Sequence, residues 1–195
     1  MSPLSPEETV VVSGLPRSGT SMVMRMLEAG GMAVLTDHVR TADESNPRGY
    51  FEFERVKRLR EDKEWLPLAR GRAVKIISFL LPELPPETRC RIIFVRRSLA
   101  EVLASQRKML EQRGMPVADP EADARRMARL YEKHLAQIQE WLGGRPAWPV
   151  LEVGHRDALK NPPGTAERIN EFLGGGLDGA AMAAAVDPAL HRQRC

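Results

Sequence analysis

A short apolar run that enters a glycine-rich loop constrains the fold of this chain more than any other feature. The run TVVV (9–12) is followed by SGLPRSGTSM (13–22) and then by VMRML (23–27), which has the composition of a helix. A strand that leads through such a loop into a helix is suited to bind phosphate, because the helix N-terminus presents unpaired N–H groups and a partial positive charge. The sequence therefore predicts a phosphate-binding strand–loop–helix unit at residues 9–27.

This loop lacks the lysine that nucleoside-triphosphate enzymes use. In the pattern G-x-x-x-x-G-K-[ST], Gly14 and Gly19 occupy the glycine positions, whereas Thr20 stands where the lysine is expected. Arg17, inside the loop, supplies a cation instead, and neither of the two most apolar later strands ends in an Asp that could help to hold magnesium. The residues predict recognition of a compact anion without an obligatory metal.

Composition indicates one soluble globular domain over residues 1–195. Hydrophobic residues make up 43% and charged residues 28% of the 195 residues, as is usual for such proteins. The net charge of +3 is too small to predict a nucleic-acid partner without a concentrated basic stripe and stacking aromatic residues. A small anionic ligand fits this charge better.

Cysteine usage and hydropathy predict a cytoplasmic protein without a membrane span. Cys90 and Cys195 are the only cysteines, too few for a disulfide framework or a metal cluster. The N-terminal segment MSPLSPEETV has neither the basic nor the apolar part of a secretory signal, and no later apolar run approaches the length needed to cross a bilayer.

Apolar runs and helical patterns alternate along the rest of the chain. Right-handed crossovers between such segments give an open α/β sandwich, so we predict a single-domain, P-loop-type three-layer fold with a central parallel sheet flanked by helices. After the first unit, strands are predicted over 32–36, 72–78, 91–95 and 148–153. Helices are predicted over 51–66, where the helix is exposed and amphipathic, after residue 97, from Asp119 to Gly143, and over 165–174.

Two motifs resemble those of the sulfotransferases that use 3′-phosphoadenosine 5′-phosphosulfate (PAPS). The 5′-phosphosulfate loop of that family reads P-[KR]-S-G-[TS]-[ST], and PRSGTS (16–21) matches it throughout. The family's 3′-phosphate site is an Arg at the end of a buried strand and a Ser eight residues later, as are Arg97 and Ser105. The resemblance covers most of the chain, and NPRGYFE (46–52) is most similar to a segment of small bacterial sulfotransferases.

The resemblance implies transfer of a sulfuryl group from PAPS to a hydroxyl or amine, with adenosine 3′,5′-bisphosphate (PAP) as the second product and no required metal. The acceptor would be a small molecule, a carbohydrate or a lipid, with a peptide tyrosine also open. The donor site would comprise Arg17, Ser18, Gly19, Thr20, Ser21, Arg97 and Ser105, with Arg192 and Arg194 of the C-terminal tail completing the 3′-phosphate site.

The resemblance also suggests catalytic residues. Arg17 and Lys75 would be catalytic cations, with Lys75 stabilising the leaving bridging oxygen, but Ile77 stands where cytosolic relatives carry a catalytic histidine. Carbohydrate-modifying relatives instead use a glutamate that follows the first strand–helix unit. Glu52 is the favoured general base by this comparison, with Glu44 and His38 as alternatives, whereas His134 and His155 are interpreted as structural or surface residues.

Two other functions remain open from the residues alone. A kinase-like phosphotransferase with a degenerate phosphate loop would need a lysine and a magnesium ligand from elsewhere in the chain. A non-catalytic nucleotide-binding protein could keep the loop and lack the base.

Overall fold

Four parallel strands form the centre of the structure, a computed structural model that describes residues 2–37, 39, 49–115 and 118–187. In chain order they are β1 (Thr9–Gly14), β2 (Ala73–Lys75), β3 (Cys90–Arg96) and β4 (Val150–Gly154), and their order in the sheet is β2-β1-β3-β4. Because the strands are parallel, their carboxyl ends lie along one edge, where open α/β sheets bind ligands.

Helices cover both faces of this sheet, as the sequence predicts. The helices are α1 (Thr20–Ala29), α2 (Leu99–Gln112), α3 (Pro120–Gly143), α4 (His155–Lys160), α5 (Pro162–Phe172) and α6 (Gly179–Ala184), with 3₁₀ helices at Glu54–Arg58, Leu66–Ala69 and Ser78–Glu83. Val10 and Val12 of β1 pack on one face, in a cluster with residues of α1, α4, α5 and α6, whereas Val11 packs on the other with Trp65 and with Ile138 of α3. The predicted three-layer α/β architecture is confirmed.

The register of the sheet places the loops after β1 and β3 side by side. Gly14, the last residue of β1, pairs with Val95, one residue before the end of β3. The chain leaves β1 toward β2 on one side and returns to β3 on the other, so the connections diverge at this point of the sheet. Such a divergence opens a crevice at the carboxyl edge.

Local sequence signals fix the start of the longest helix, α3. The Asp119 side chain accepts a hydrogen bond from the Ala122 N–H at 2.9 Å, and Pro120 occupies the first helical position, where its missing N–H costs nothing. In the sheet, the predicted strand over 91–95 is present as β3.

The predicted strand over 32–36 is wrong. Only Val34 bridges to Ala73, because β2 has three residues and offers little edge to extend. Beyond that bridge, Thr36 Oγ1 and the Asp37 N–H donate instead to the Glu52 carbonyl, at 2.9 and 3.3 Å. The segment thereby ties the Glu52 region to the sheet.

The predicted amphipathic helix over 51–66 is also wrong. The chain forms the short 3₁₀ helix Glu54–Arg58 and then turns, with a bidentate ion pair from Arg55 to Asp62 at 2.7 Å. Since a 3₁₀ helix aligns positions three apart, Val56 and Leu59 still face the core. The apolar spacing indicates the buried side correctly, but the local backbone differs.

The strand predicted over 72–78 is shorter than expected. β2 ends at Lys75, close to the level at which β1 turns into its glycine-rich loop, and Ser78–Glu83 forms a 3₁₀ helix that contains Pro82. The chain therefore leaves the sheet at its carboxyl edge, next to the loop.

Candidate active site

The predicted phosphate loop connects β1 to α1 at the carboxyl edge of the sheet. Gly19, the residue before α1, has a φ of +106°, and a Cβ there would lie 2.5 Å from Cδ2 of His155. Glycine is therefore required at this position for two reasons, the left-handed backbone and the contact with a buried ring. The first N–H groups of α1 have no partner within the helix and can bind an anion.

Ser18 supplies a polar group inside this loop. Its side chain is buried, and among the described residues Oγ has no hydrogen-bond partner. A Cβ on Gly14 would lie 2.6 Å from this oxygen, so the hydroxyl faces the start of the loop. A buried hydroxyl without a protein partner fits an oxygen of a bound phosphate or sulfate group.

The second predicted motif meets the loop directly. Nε of Arg17 donates to Ser105 Oγ at 3.0 Å, and Nη1 of Arg97 donates to the Arg17 carbonyl at 3.0 Å. Arg17 has a φ of 71°, a left-handed conformation that costs a non-glycine residue about 1–3 kcal/mol and tends to occur at functional sites. Three residues predicted to bind the donor thus form one hydrogen-bonded cluster.

Glu101 holds Arg97 in place from one turn along α2. Its Oε2 lies 2.9 Å from Nε of Arg97, and the two side chains are almost fully buried. Because a buried charge is stable only when it is paired, this contact fixes the orientation of the Arg97 guanidinium. Glu101 is not among the site residues predicted from the sequence, although its position four residues after Arg97 on a helix is a recognisable signal.

Lys75 lies on the other side of the loop. Its ammonium group donates to the Tyr50 carbonyl, which also accepts a hydrogen bond from Ser21 Oγ at 3.2 Å. The Lys75 side chain is buried, with only 8% exposed. The carbonyl of Tyr50 therefore links the predicted catalytic lysine to the first turn of α1. A backbone carbonyl is present in every residue, so this role cannot be predicted from the residue type.

Glu52 lies beside this lysine. Its carboxylate is 3.6 Å from Lys75 Nζ and 3.8 Å from Lys57 Nζ, and 17% of its side chain is exposed. Its backbone is fixed by the bonds that its carbonyl accepts from Thr36 and Asp37. A carboxylate held next to a cation at the edge of the site can take a proton from an acceptor.

The structure thus brings the predicted residues together in two groups joined by the loop. One group contains Arg17, Arg97 and Ser105, and the other contains Lys75 and Glu52, with Ser21 at the junction. Four further candidates, His38, Glu44, Arg192 and Arg194, lie outside the described residues.

His155, for which the sequence predicts a structural or surface position, contacts the phosphate loop. The residue follows β4 at the carboxyl edge, is 8% exposed, and its ring lies against Gly19. Its place directly after a strand, at the edge where ligands bind, is the signal that could have marked it.

A match to the family described as Sulfotransferase domain covers residues 7–190. The chain belongs to this family. The family and the enzyme class predicted from the sequence, a sulfotransferase, are thereby confirmed. No curated protein sequence matches this sulfotransferase.

Solved structures with the same fold are distant in sequence. The sulfotransferase domain from the Synechococcus PCC 7002 olefin synthase is 17% identical, with a TM-score of 0.56, over 97% of this chain and 87% of that one. Mouse sulfotransferase SULT7A1, solved with PAP, is 18% identical, with a TM-score of 0.56, over 94% of this chain and 64% of that one. The sulfotransferase domain from the curacin biosynthetic pathway is 12% identical, with a TM-score of 0.55, over 94% and 88%.

Within the described part of this sulfotransferase, no helix has the length and apolar character needed to cross a membrane.

Proposed function

We propose that this sulfotransferase takes the sulfuryl group from PAPS and transfers it to a hydroxyl or amine of an acceptor. The observation that carries the proposal is the hydrogen-bonded cluster of Arg17, Arg97 and Ser105, in which the loop predicted for the 5′-phosphosulfate touches both residues predicted for the 3′-phosphate. PAPS carries anionic groups at its 5′ and 3′ positions, and the cluster offers two neighbouring cationic side chains, those of Arg17 and Arg97. The complex of mouse SULT7A1 with PAP supports the same donor.

The residues of the loop would hold the 5′ end of the donor. The N–H groups at the start of α1 and the Ser18 hydroxyl would bind phosphate and sulfate oxygens, with Arg17 as the local cation. Arg97, oriented by Glu101, and Ser105 would bind the 3′-phosphate. Arg192 and Arg194 of the C-terminal tail would supply further positive charge to the 3′-phosphate site.

The bound donor supplies the sulfuryl group that moves to the acceptor. Lys75 would stabilise the negative charge that develops on the bridging oxygen of the leaving phosphate, since a buried ammonium group interacts strongly with such charge. Glu52 would accept the proton that the acceptor loses as the new bond to sulfur forms. Its position beside Lys75 supports this role, and Glu44 and His38 are the alternatives.

We further propose that residues 1–195 act as one catalytic domain in the cytoplasm, on a small-molecule, carbohydrate or lipid acceptor. The few cysteines and the mild net charge support this setting, and neither suggests a nucleic-acid partner.

Calorimetric titration with PAP and with ADP, each with and without magnesium, tests the donor. We expect PAP to bind at least tenfold more tightly than ADP, with little effect of magnesium. The reason is that ADP lacks the 3′-phosphate that Arg97 is proposed to bind. A preference for ADP that depends on magnesium would instead indicate the kinase-like alternative. Turnover of PAPS to PAP in the presence of acceptor would exclude a non-catalytic protein.

A further inference from the structure

A strained residue directly precedes the proposed general base, Glu52. Phe51 has a φ of +52°, in the left-handed region. A bulky aromatic residue is poorly suited to this region, because its Cβ lies too close to a neighbouring carbonyl oxygen. Among the described residues, Arg17 in the donor loop is the other non-glycine residue with a positive φ. Such conformations persist only where the surrounding structure holds them, and they tend to occur at functional sites.

The chain crosses from one face of the sheet to the other at this point. Phe51 packs against the apolar cluster on the face that α1 covers. Phe53 packs against the cluster of the opposite face, where its ring lies 5.5 Å from that of Trp65. Residues two apart in an extended segment point to the same side, so this crossing requires a turn. The left-handed Phe51 supplies the turn, and Glu52 lies in the middle of the crossing.

The turn brings two groups of this segment to one ammonium group. The Tyr50 carbonyl accepts a hydrogen bond from Lys75, and the Glu52 carboxylate lies 3.6 Å from the same nitrogen. In extended backbone a carbonyl and the side chain two residues later point in nearly perpendicular directions, because side chains stand out from the plane of the hydrogen-bonding groups. The left-handed residue between them, Phe51, therefore lets both groups reach Lys75.

Contacts on both sides of Phe51 hold this conformation. Before it, the Tyr50 carbonyl also accepts a hydrogen bond from Ser21 Oγ at 3.2 Å. After it, the Glu54 N–H donates to Asp37 Oδ2 at 2.6 Å. The strained residue is thus fixed by contacts close to it on either side, as a conformation of this kind requires.

We propose that Phe51 is a positioning residue whose left-handed backbone directs the Glu52 carboxylate to Lys75. Its ring packs on the core and opposes relaxation of the backbone to a negative φ, which would rotate Glu52 away from Lys75. Phe51 acts through Glu52 rather than on the donor or the acceptor. This inference rests on the proposed function, because it explains how the proposed general base is held.

The test compares Phe51→Gly with Phe51→Ala. Both remove the ring, but glycine enters the left-handed region freely and alanine does not. We expect crystal structures to keep the Glu52 carboxylate within about 4 Å of Lys75 Nζ in Phe51→Gly and to show it displaced in Phe51→Ala. With PAPS and the best of methyl glucoside, 2-naphthol and octanol as acceptor, kcat should be about threefold to tenfold higher in Phe51→Gly. PAP affinity, which also shows folding, should differ less than kcat.

Phe51→Asn and Phe51→Thr form a second pair, which decides the question if Phe51→Ala does not fold. The two new side chains are similar in size, but asparagine is tolerated in the left-handed region and β-branched threonine is not. We expect the kcat of Phe51→Asn to exceed that of Phe51→Thr, again with a smaller difference in PAP affinity.

Phe53→Gly and Phe53→Ala are the matched control, because Phe53 is a partly buried aromatic residue of the same segment with an ordinary φ of −123°. Phe53→Ala should be at least as active as Phe53→Gly, since no left-handed backbone is required there. An equal or reversed order at position 51, or the same advantage of glycine at position 53, would overturn the positioning role while PAP binding leaves the proposed function intact. Failure of the original protein to bind PAP would overturn the proposed function itself.

Discussion

Nε of Arg17 donates a hydrogen bond to Oγ of Ser105 at 3.0 Å, although the two residues are 88 positions apart in the chain. The contact follows from the register of the sheet, because Gly14 and Val95 pair at the ends of neighbouring parallel strands. Arg17 then reaches across the crevice to the helix that follows β3. The two groups of residues that we propose to bind the donor are therefore joined by direct hydrogen bonds.

Replacement of Arg17 by Ala is expected to weaken PAP binding by about 1.5–3 kcal/mol, since it removes a charge-assisted hydrogen bond. Titration calorimetry measures this change directly. Arg70→Ala is a suitable control, because Arg70 is an exposed arginine that pairs with Glu7 near the other end of the sheet. Unchanged affinity in a folded Arg17→Ala variant would remove this residue from the donor site.

Replacement of Glu52 by Gln should lower kcat by roughly a hundredfold to ten-thousandfold and leave PAP affinity almost unchanged, because it removes a general base and keeps the side-chain shape. Steady-state kinetics and calorimetry separate the two effects. Glu54→Gln is the control, since Glu54 lies two residues away and pairs with Lys57.

The alternative bases give a distinct outcome. If Glu52→Gln retains full turnover and Glu44→Gln or His38→Ala loses it, the base is assigned to the wrong residue while the donor site stands.

Replacement of Gly19 by Ala should reduce PAP affinity about tenfold, because the added Cβ meets His155 at 2.5 Å and the φ of +106° disfavours an L side chain. Adding His155→Ala relieves the contact but keeps the backbone strain, so we expect only partial recovery. Full recovery in the double variant would show that backbone conformation is not a constraint here.

Acid sensitivity of the fold should arise in part from Glu8 and Arg91. The Arg91 side chain is buried, with 3% exposed, and its Nη2 lies 3.1 Å from Glu8 Oε2. Nη1 of Arg91 also donates to the Phe172 carbonyl at 3.0 Å. Burial alone would raise the pKa of Glu8, but hydrogen bonds from Arg91 and the Ser5 N–H, with the charge of Arg91, hold this pKa below its ordinary value of 4.5. A carboxyl with a lowered folded-state pKa stabilises the fold above its ordinary pKa, and this contribution is lost as the pH falls through the lowered value.

Glu8→Gln is therefore expected to reduce the unfolding free energy by about 1.5–3 kcal/mol at neutral pH. The difference from the original protein should shrink as the pH falls below 4.5. Chemical unfolding at several pH values measures both effects. Glu7→Gln, which removes a carboxylate from an exposed ion pair with Arg70, should have little effect, and an equal loss in both variants would contradict the assignment.

The parts of the fold that sequence could predict are those with a strong local signal. The phosphate loop carries its glycines and its flanking strand and helix, and α3 carries Asp119 and Pro120 at its start. The prediction of an α-helix over 51–66 is wrong because the apolar spacing there fits both an α-helix and a series of tighter turns. The ion pair between Arg55 and Asp62 stabilises the turns.

The same distinction applies to the candidate site. Arg17, Arg97 and Ser105 lie in motifs, so the amino-acid sequence alone is enough to select them. The Tyr50 carbonyl could not be selected in this way, because its role depends on where Lys75 and Ser21 meet in three dimensions. Glu101 and His155 gave weak signals, a helical spacing and a position after a strand, that become informative only together with the sheet order.

The most direct test of the account compares the binding of PAP and 5′-AMP to the original protein and to Arg97→Ala. Only PAP carries the 3′-phosphate that Arg97 is proposed to bind. We expect the original protein to prefer PAP, and Arg97→Ala to lose about 1.5–3 kcal/mol of affinity for PAP while its affinity for 5′-AMP changes little. Equal losses for the two nucleotides, or no preference for PAP in the original protein, would contradict the assignment of this cluster to the 3′-phosphate of PAPS.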